Sequence, residues 1–143
     1  MKLTNNFSLQ ELLKSQTALR KGIDNKPANP GVITNLQVLC EKVLQPVRDH
    51  FGKPVVINSG YRSPKLNKAI GGSNKSQHTK GEAADIEIPG LSNKELAEYI
   101  EDNLPFDQLI LEFYNGVDPN SGWVHVSYVN DSDNRKQTLT INK

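Results

Sequence analysis

Apolar residues recur at helical spacing from Val32 onward: Val32, Leu36, Leu39, Val43 and Val47 fall on one face, so residues 31–50 are expected to be mostly helical. Pro46 lies late in that run and should kink or interrupt it. Upstream, Ser8-Leu-Gln-Glu11 has the capping-box arrangement, with Phe7 placed as a hydrophobic staple on Leu12. A short helix should follow and end before the polar, Pro-rich segment at 22–30. Pro54-Val-Val-Ile-Asn58, between Gly52 and Gly60, reads as a strand. Ser63-Pro64 supplies the N-cap and first position of another short helix, stopped by Gly71-Gly72. Ser92-Asn-Lys-Glu95 is a second capping box, opening an amphipathic helix to about Asn103 with Leu96 and Ile100 inward. Residues 82–88, 107–113, 123–129 and 136–141 read as strands, with Asn115-Gly116 and Asn130-Asp131 as turn chemistry. Helices first and strands later predict one α+β domain over 1–143, an antiparallel sheet with helices packed on it.

Charge and cysteine content narrow the function classes. Lys+Arg is 17 and Asp+Glu is 16, so nothing electrostatic points to nucleic acid or to an acidic membrane. Cys40 is the only cysteine, which excludes an internal disulfide and a cysteine-based zinc site. Its neighbours Val38, Leu39 and Val43 predict a core thiol. The N-terminal residues lack the apolar stretch of a secretory signal, and no run approaches the ~20 apolar residues of a membrane span. Cytoplasmic synthesis without membrane insertion is therefore expected, and a target outside the membrane would need a separate route of release. His50 closes the long helix and is expected at the surface or as a cap.

The chemistry concentrates at residues 76–85. His78 and Asp85 lie seven apart with Gly81 between them, which suits a loop turning at the glycine into a strand that carries Asp85. On that strand Ala84, Ile86 and Ile88 share one face, and Ala83, Asp85 and Glu87 the other. A carboxylate among Ala and Ile residues is half buried or more and needs a cation or strong hydrogen bonds. His125 shares a strand face with Trp123 and Ser127. If the two strands are neighbours, Asp85 and His125 converge, and His78 approaches from the loop. Two imidazoles and a carboxylate, with a fourth position for water, form a catalytic zinc set. A hydrogen-bonded core histidine and a turn-capping aspartate are the plainer alternatives on spacing alone.

Ser76-x-His78-x-x-Gly81-x-Ala83-x-Asp85, preceded by Ser59-Gly-Tyr-Arg62-Ser63 and followed by Trp123-Val-His125, resembles the zinc-dependent peptidoglycan peptidases of the M15 family. That group includes D-alanyl-D-alanine carboxypeptidases, dipeptidases and phage endolysins that cleave L-alanyl-D-glutamate bonds. The resemblance covers about residues 5–129 and implies the small α+β zinc-peptidase fold. It also implies Zn²⁺ held by His78, Asp85 and His125, with Arg62 on the substrate and the anionic transition state. Ser76 corresponds to a substrate contact or a residue just behind it.

One departure matters. Many members carry Glu or Asp three residues before the late histidine as general base, and others a His two before it; here those positions are Gly122 and Trp123. Glu112, in the run Gln-Leu-Ile-Leu-Glu, becomes the candidate base, with Asp107 and Glu87 as weaker ones. An edge residue or a lysine partner is the plainer reading of Glu112. The expected activity is hydrolysis of peptidoglycan stem peptides by a monomer, as carboxypeptidase or endopeptidase, in phage or prophage cell-wall lysis. The alternative is a non-catalytic zinc-containing binding or assembly module of the same fold.

Overall fold

The computed structural model describes residues 1–113 and 121–141. Two short strands, β1 (Lys2–Thr4) and β2 (Phe7–Ser8), open the chain as an antiparallel pair that sequence periodicity left unseen. The capping box forms as expected: the Ser8 hydroxyl accepts from the Glu11 amide, and the Glu11 carboxylate accepts from the Ser8 amide at 3.1 Å. The helix it starts, α1 (Leu9–Leu13), stops at Lys14, where the backbone turns extended. Ser15 then caps a second helix, α2 (Gln16–Lys21), which Gly22 ends in the left-handed conformation at φ 66°.

The long apolar stripe forms α3 (Pro30–Leu39), a π-turn (Cys40–Leu44) and α4 (Gln45–Phe51) without a break. Pro46 was expected to kink or interrupt this run. The interruption takes the form of the π-turn just before it: the Gln45 amide reaches back to the Cys40 carbonyl, so the ladder has already shifted where the proline has no N–H to give. His50 ends the helix exposed, stacked on Tyr99 with ring centroids 3.9 Å apart.

β3 (Val56–Ser59), α5 (Pro64–Ala69), a 3₁₀ turn (Gln77–Lys80), β4 (Ala83–Glu87), α6 (Asn93–Asn103), β5 (Gln108–Glu112), β6 (Trp123–Ser127) and β7 (Gln137–Ile141) complete the described chain. Ser63 and Ser92 cap α5 and α6 as their sequence positions predict. The strands order as β3-β4-β6-β5-β7. Three of the four pairs are antiparallel, whereas β7 runs parallel to β5 at the edge, which corrects the expectation of a wholly antiparallel sheet. Alternation fixes which side chains share a face but not which neighbour a strand selects. Asn130 forms the expected turn, its Oδ1 accepting from the Ser132 and Asp133 amides. Asn115-Gly116 lies outside the described residues.

The sheet has one dry face and one chemical face. Ala84, Ile86, Val124, Val126, Leu109 and Leu111 pack into the same core as Leu36, Leu39, Val43 and Val47 of the long helix and Leu96 and Ile100 of α6. Each fully buried Leu or Ile there contributes about 1.5–3 kcal/mol relative to exposure. Cys40 lies in this core, and burial, with Glu11 and Glu41 nearby, pushes its thiol up to about 12. No helix among the described residues is long and apolar enough to cross a membrane. The opposite face carries Asp85, His125, Ile110, Glu112 and Trp123.

Candidate active site

β4 and β6 place Asp85 directly across from His125, with Ile110 of β5 on the other side of His125. The convergence expected from sequence is thus a consequence of strand register. His125 Nδ1 lies 2.9 Å from Asp85 Oδ1. His78 arrives from the 3₁₀ turn, its Nε2 3.4 Å from the same oxygen. One ligand atom from each of the three residues falls within 4.8 Å of the others, and His78 and His125 are almost fully buried.

The loop carrying His78 is held from both ends. Ser76 caps the turn by accepting from the His78 amide, and Gly81 closes it in the left-handed conformation. A Cβ at Gly81 would lie 2.6 Å from the Val32 carbonyl, so glycine is also what allows the turn to lie on α3. His78 Nδ1 is 2.7 Å from the Gly60 carbonyl. A carbonyl only accepts, so Nδ1 donates in that contact, and Nε2 is the ring nitrogen turned to Asp85. The Arg62 amide in turn donates to the His78 carbonyl at 3.0 Å.

These spacings suit a tetrahedral ion. Donor atoms each ~2.0–2.1 Å from a zinc centre are roughly 3.3 Å apart. The His78–Asp85 separation matches that, and the His125–Asp85 separation is the shorter contact of a direct hydrogen bond. Burial raises the Asp85 carboxyl, but hydrogen bonds from His125 and then His78 outweigh it and hold it well below the usual carboxylate range. A carboxylate that stays ionised beside two imidazoles is a donor set for a divalent cation.

Around this group lies an open cleft of about 540 Å³ whose walls include Arg62, Ser76, Gln108, Glu112, Trp123 and Arg135. Glu112, paired with Trp123, is the diagonal neighbour of His125 across the β5–β6 ladder, a Cα separation of roughly 7–8 Å. Arg62 Nη2 donates to Ser76 Oγ at 3.3 Å, while its Nε is buried without a partner among the described residues. Burial lowers the Arg62 pKa, while the nearby charges of Asp85 and Glu112 act in the opposite sense.

The position three before His125 cannot hold an acid here. Gly122 has φ 74°, and a Cβ on it would come within 1.8 Å of the Glu112 carbonyl oxygen. The backbone of Glu112 occupies the space a side chain would need. Of the weaker base candidates, Asp107 is almost fully buried and clamped by Arg135, whose Nε and Nη2 donate to it at 3.1 and 2.7 Å, with Gln77 adding a third donor. Glu87 lines a separate depression beside Pro89 and Leu91.

Two supports escaped sequence reasoning. Asn25 donates to the carbonyls of Leu13 and Tyr61 and accepts from the Ser63 amide, tying the Arg62 segment to α1. Arg135, which lines the cleft, is anchored on the buried Asp107. Both join residues 12 to 38 positions apart, so neither leaves a local pattern.

Comparison with curated proteins finds no match for the chain. A family model described as Peptidase M15 matches residues 5–127. That span contains the His-Asp-His group, Arg62 and Glu112. The chain belongs to the M15 family of zinc-dependent peptidases.

Proposed function

We propose that the protein is a zinc metallopeptidase that hydrolyses peptidoglycan stem peptides, with His78, Asp85 and His125 as the metal ligands. The observation that carries this reading is the meeting of those three donors in a cleft that also presents a carboxylate, Glu112, and a guanidinium, Arg62. When bound, zinc supplies a Lewis acid that lowers the pKa of water from ~15.7 toward ~7.

The chain's own residues do the rest. His78, fixed by Gly60, and His125 would each give a nitrogen lone pair to the ion, and Asp85 would add one negative charge. Glu112 takes the proton of the attacking water and returns it to the departing amine, a transfer typically worth ~10²–10⁴-fold in rate. Arg62, steadied by Ser76, faces the oxygen on which negative charge develops; its planar fork suits an oxyanion or a carboxylate. Ser76 acts here by holding Arg62 and capping the His78 turn.

The site of action proposed is the cell wall, reached after release from the cell in phage or prophage lysis. Two measurements test the reading: zinc content by elemental analysis, and hydrolysis of purified peptidoglycan by wild type and Glu112→Gln. One zinc per chain and a loss of about 10²–10⁴-fold in kcat for Glu112→Gln are expected. Full activity in that variant rejects Glu112 as base and leaves the peptidase. Zinc bound with no cleavage at any pH favours the binding module. Mass spectrometry of the released fragment separates carboxypeptidase from endopeptidase cleavage.

A further inference from the structure

Charge is uneven in the cleft, although the chain as a whole is close to neutral. Its lining carries the cations Arg62, Lys75 and Arg135 against two carboxylates, Asp85 and Glu112. With Asp85 and Glu112 assigned to metal and proton transfer, Arg135 has no place in the reaction as derived. It lies at the opposite end of the cleft from Glu112. Along β5, Ile110 is level with His125; Glu112 lies two residues one way and Gln108 two residues the other. Asp107, the partner of Arg135, directly precedes Gln108.

The pairing of Arg135 is one-sided. Its Nε and Nη2 are turned to Asp107, which is only 2% exposed. Gln77 and the Arg135 amide hold that same carboxylate from other directions. The Arg135 side chain itself remains 56% exposed. A guanidinium has five N–H donors in a fixed fork, so the edge bearing Nη1 stays available. A buried carboxylate gripping one edge of an exposed arginine orients the other edge, which reduces the ordering cost of binding an anion.

We propose that Arg135 is a carboxylate-binding subsite, selecting peptides that carry a free carboxylate about two residues from the scissile bond. The spacing follows from Gln108, which lines the cleft together with Arg135: two residues of β5 separate it from Ile110, roughly 6–7 Å, and an extended peptide covers at most ~3.3–3.6 Å per residue. The subsite rests on the peptidase reading of the same cleft and deepens it by naming a substrate class. Arg62 and Arg135 then bracket the metal group, one for the reacting oxygen and one for a side-chain or terminal carboxylate.

Blocked alanine hexapeptides, with L- or D-glutamate or the matching glutamine as the second residue to either side of the central bond, form the probe set. Their binding to the zinc-loaded protein is measured by calorimetry. Wild type should bind the glutamate member of at least one pair about tenfold or more tighter than its glutamine partner. Arg135→Gln should bring that ratio to within about twofold, and Arg135→Lys should retain part of it. Equal binding within every pair in wild type overturns the proposal without any variant. An unchanged ratio in Arg135→Gln overturns it as well. Should Arg135→Gln fail to fold because Asp107 is left unpaired, the double variant Asp107→Asn, Arg135→Gln removes both charges and gives the same readout. Cleavage of the same peptides is scored separately: discrimination in binding with no cleavage keeps the subsite and removes the peptidase reading.

Discussion

At the level of single residues, Gly122 shows how one backbone position decides where an acid can stand. Its positive φ and the closeness of the Glu112 carbonyl leave no room for a side chain. Gly122→Ala should therefore cost on the order of 2–4 kcal/mol, read as a lowered denaturation midpoint. It should also lower kcat with zinc content unchanged, because the Glu112 backbone must shift while the ligands stay. A variant as stable and active as wild type would remove this account of the missing acid. The convergence of His78, Asp85 and His125 was legible in sequence because residue type and strand parity together point to it: Asp85 and His125 each sit on the face opposite a run of Ala, Val and Ile. Glu112 was legible only as one of three acids. Register places it diagonal to His125, while Asp107 is paired with Arg135.

Among the elements, the segment from Ser59 to Ser63 is held by neighbours rather than by its own hydrogen bonds. A bulge between Ile57 and Ser59 releases it from β3. Gly60 then runs so close to α1 that a Cβ would fall 2.4 Å from the Leu12 carbonyl, which the Tyr61 amide uses at 2.8 Å. Asn25 supplies three further bonds from a loop with no recognisable motif. Asn25→Ala should destabilise by about 2–4 kcal/mol, given ~0.5–1.5 kcal/mol per bond and the cost of stranded partners. Its signature should be a raised KM, because Arg62 is the side chain this segment presents. An unchanged KM in a destabilised Asn25→Ala would show that the segment holds its shape alone. From β3 onward, helix and strand identities were readable from periodicity and caps, whereas β1 and β2 were not. The π-turn and the parallel β7 were not, since both depend on how the chain meets distant partners.

Across the whole molecule, stability in acid should follow buried carboxylates. Hydrogen bonds from Arg135 hold Asp107 below its ordinary value against the opposing effect of burial. A carboxyl whose native pKa is depressed stabilises fully above its unfolded value of ~3.9, and that contribution fades as pH falls through the native pKa. Denaturant midpoints should accordingly drop below about pH 4, with a shallower drop in Asp107→Asn. A slope identical in wild type and variant would assign the acid sensitivity elsewhere.

The Gly60 carbonyl fixes the imidazole of His78, and two residues later the same stretch of backbone delivers Arg62. If His78 binds the ion and Arg62 the substrate, as proposed, ion affinity and substrate affinity should not vary independently. Any disturbance of the N-terminal helix that moves Leu12 displaces both in the same direction. Across a panel of substitutions there, zinc dissociation constants and KM values should rise together along a single line.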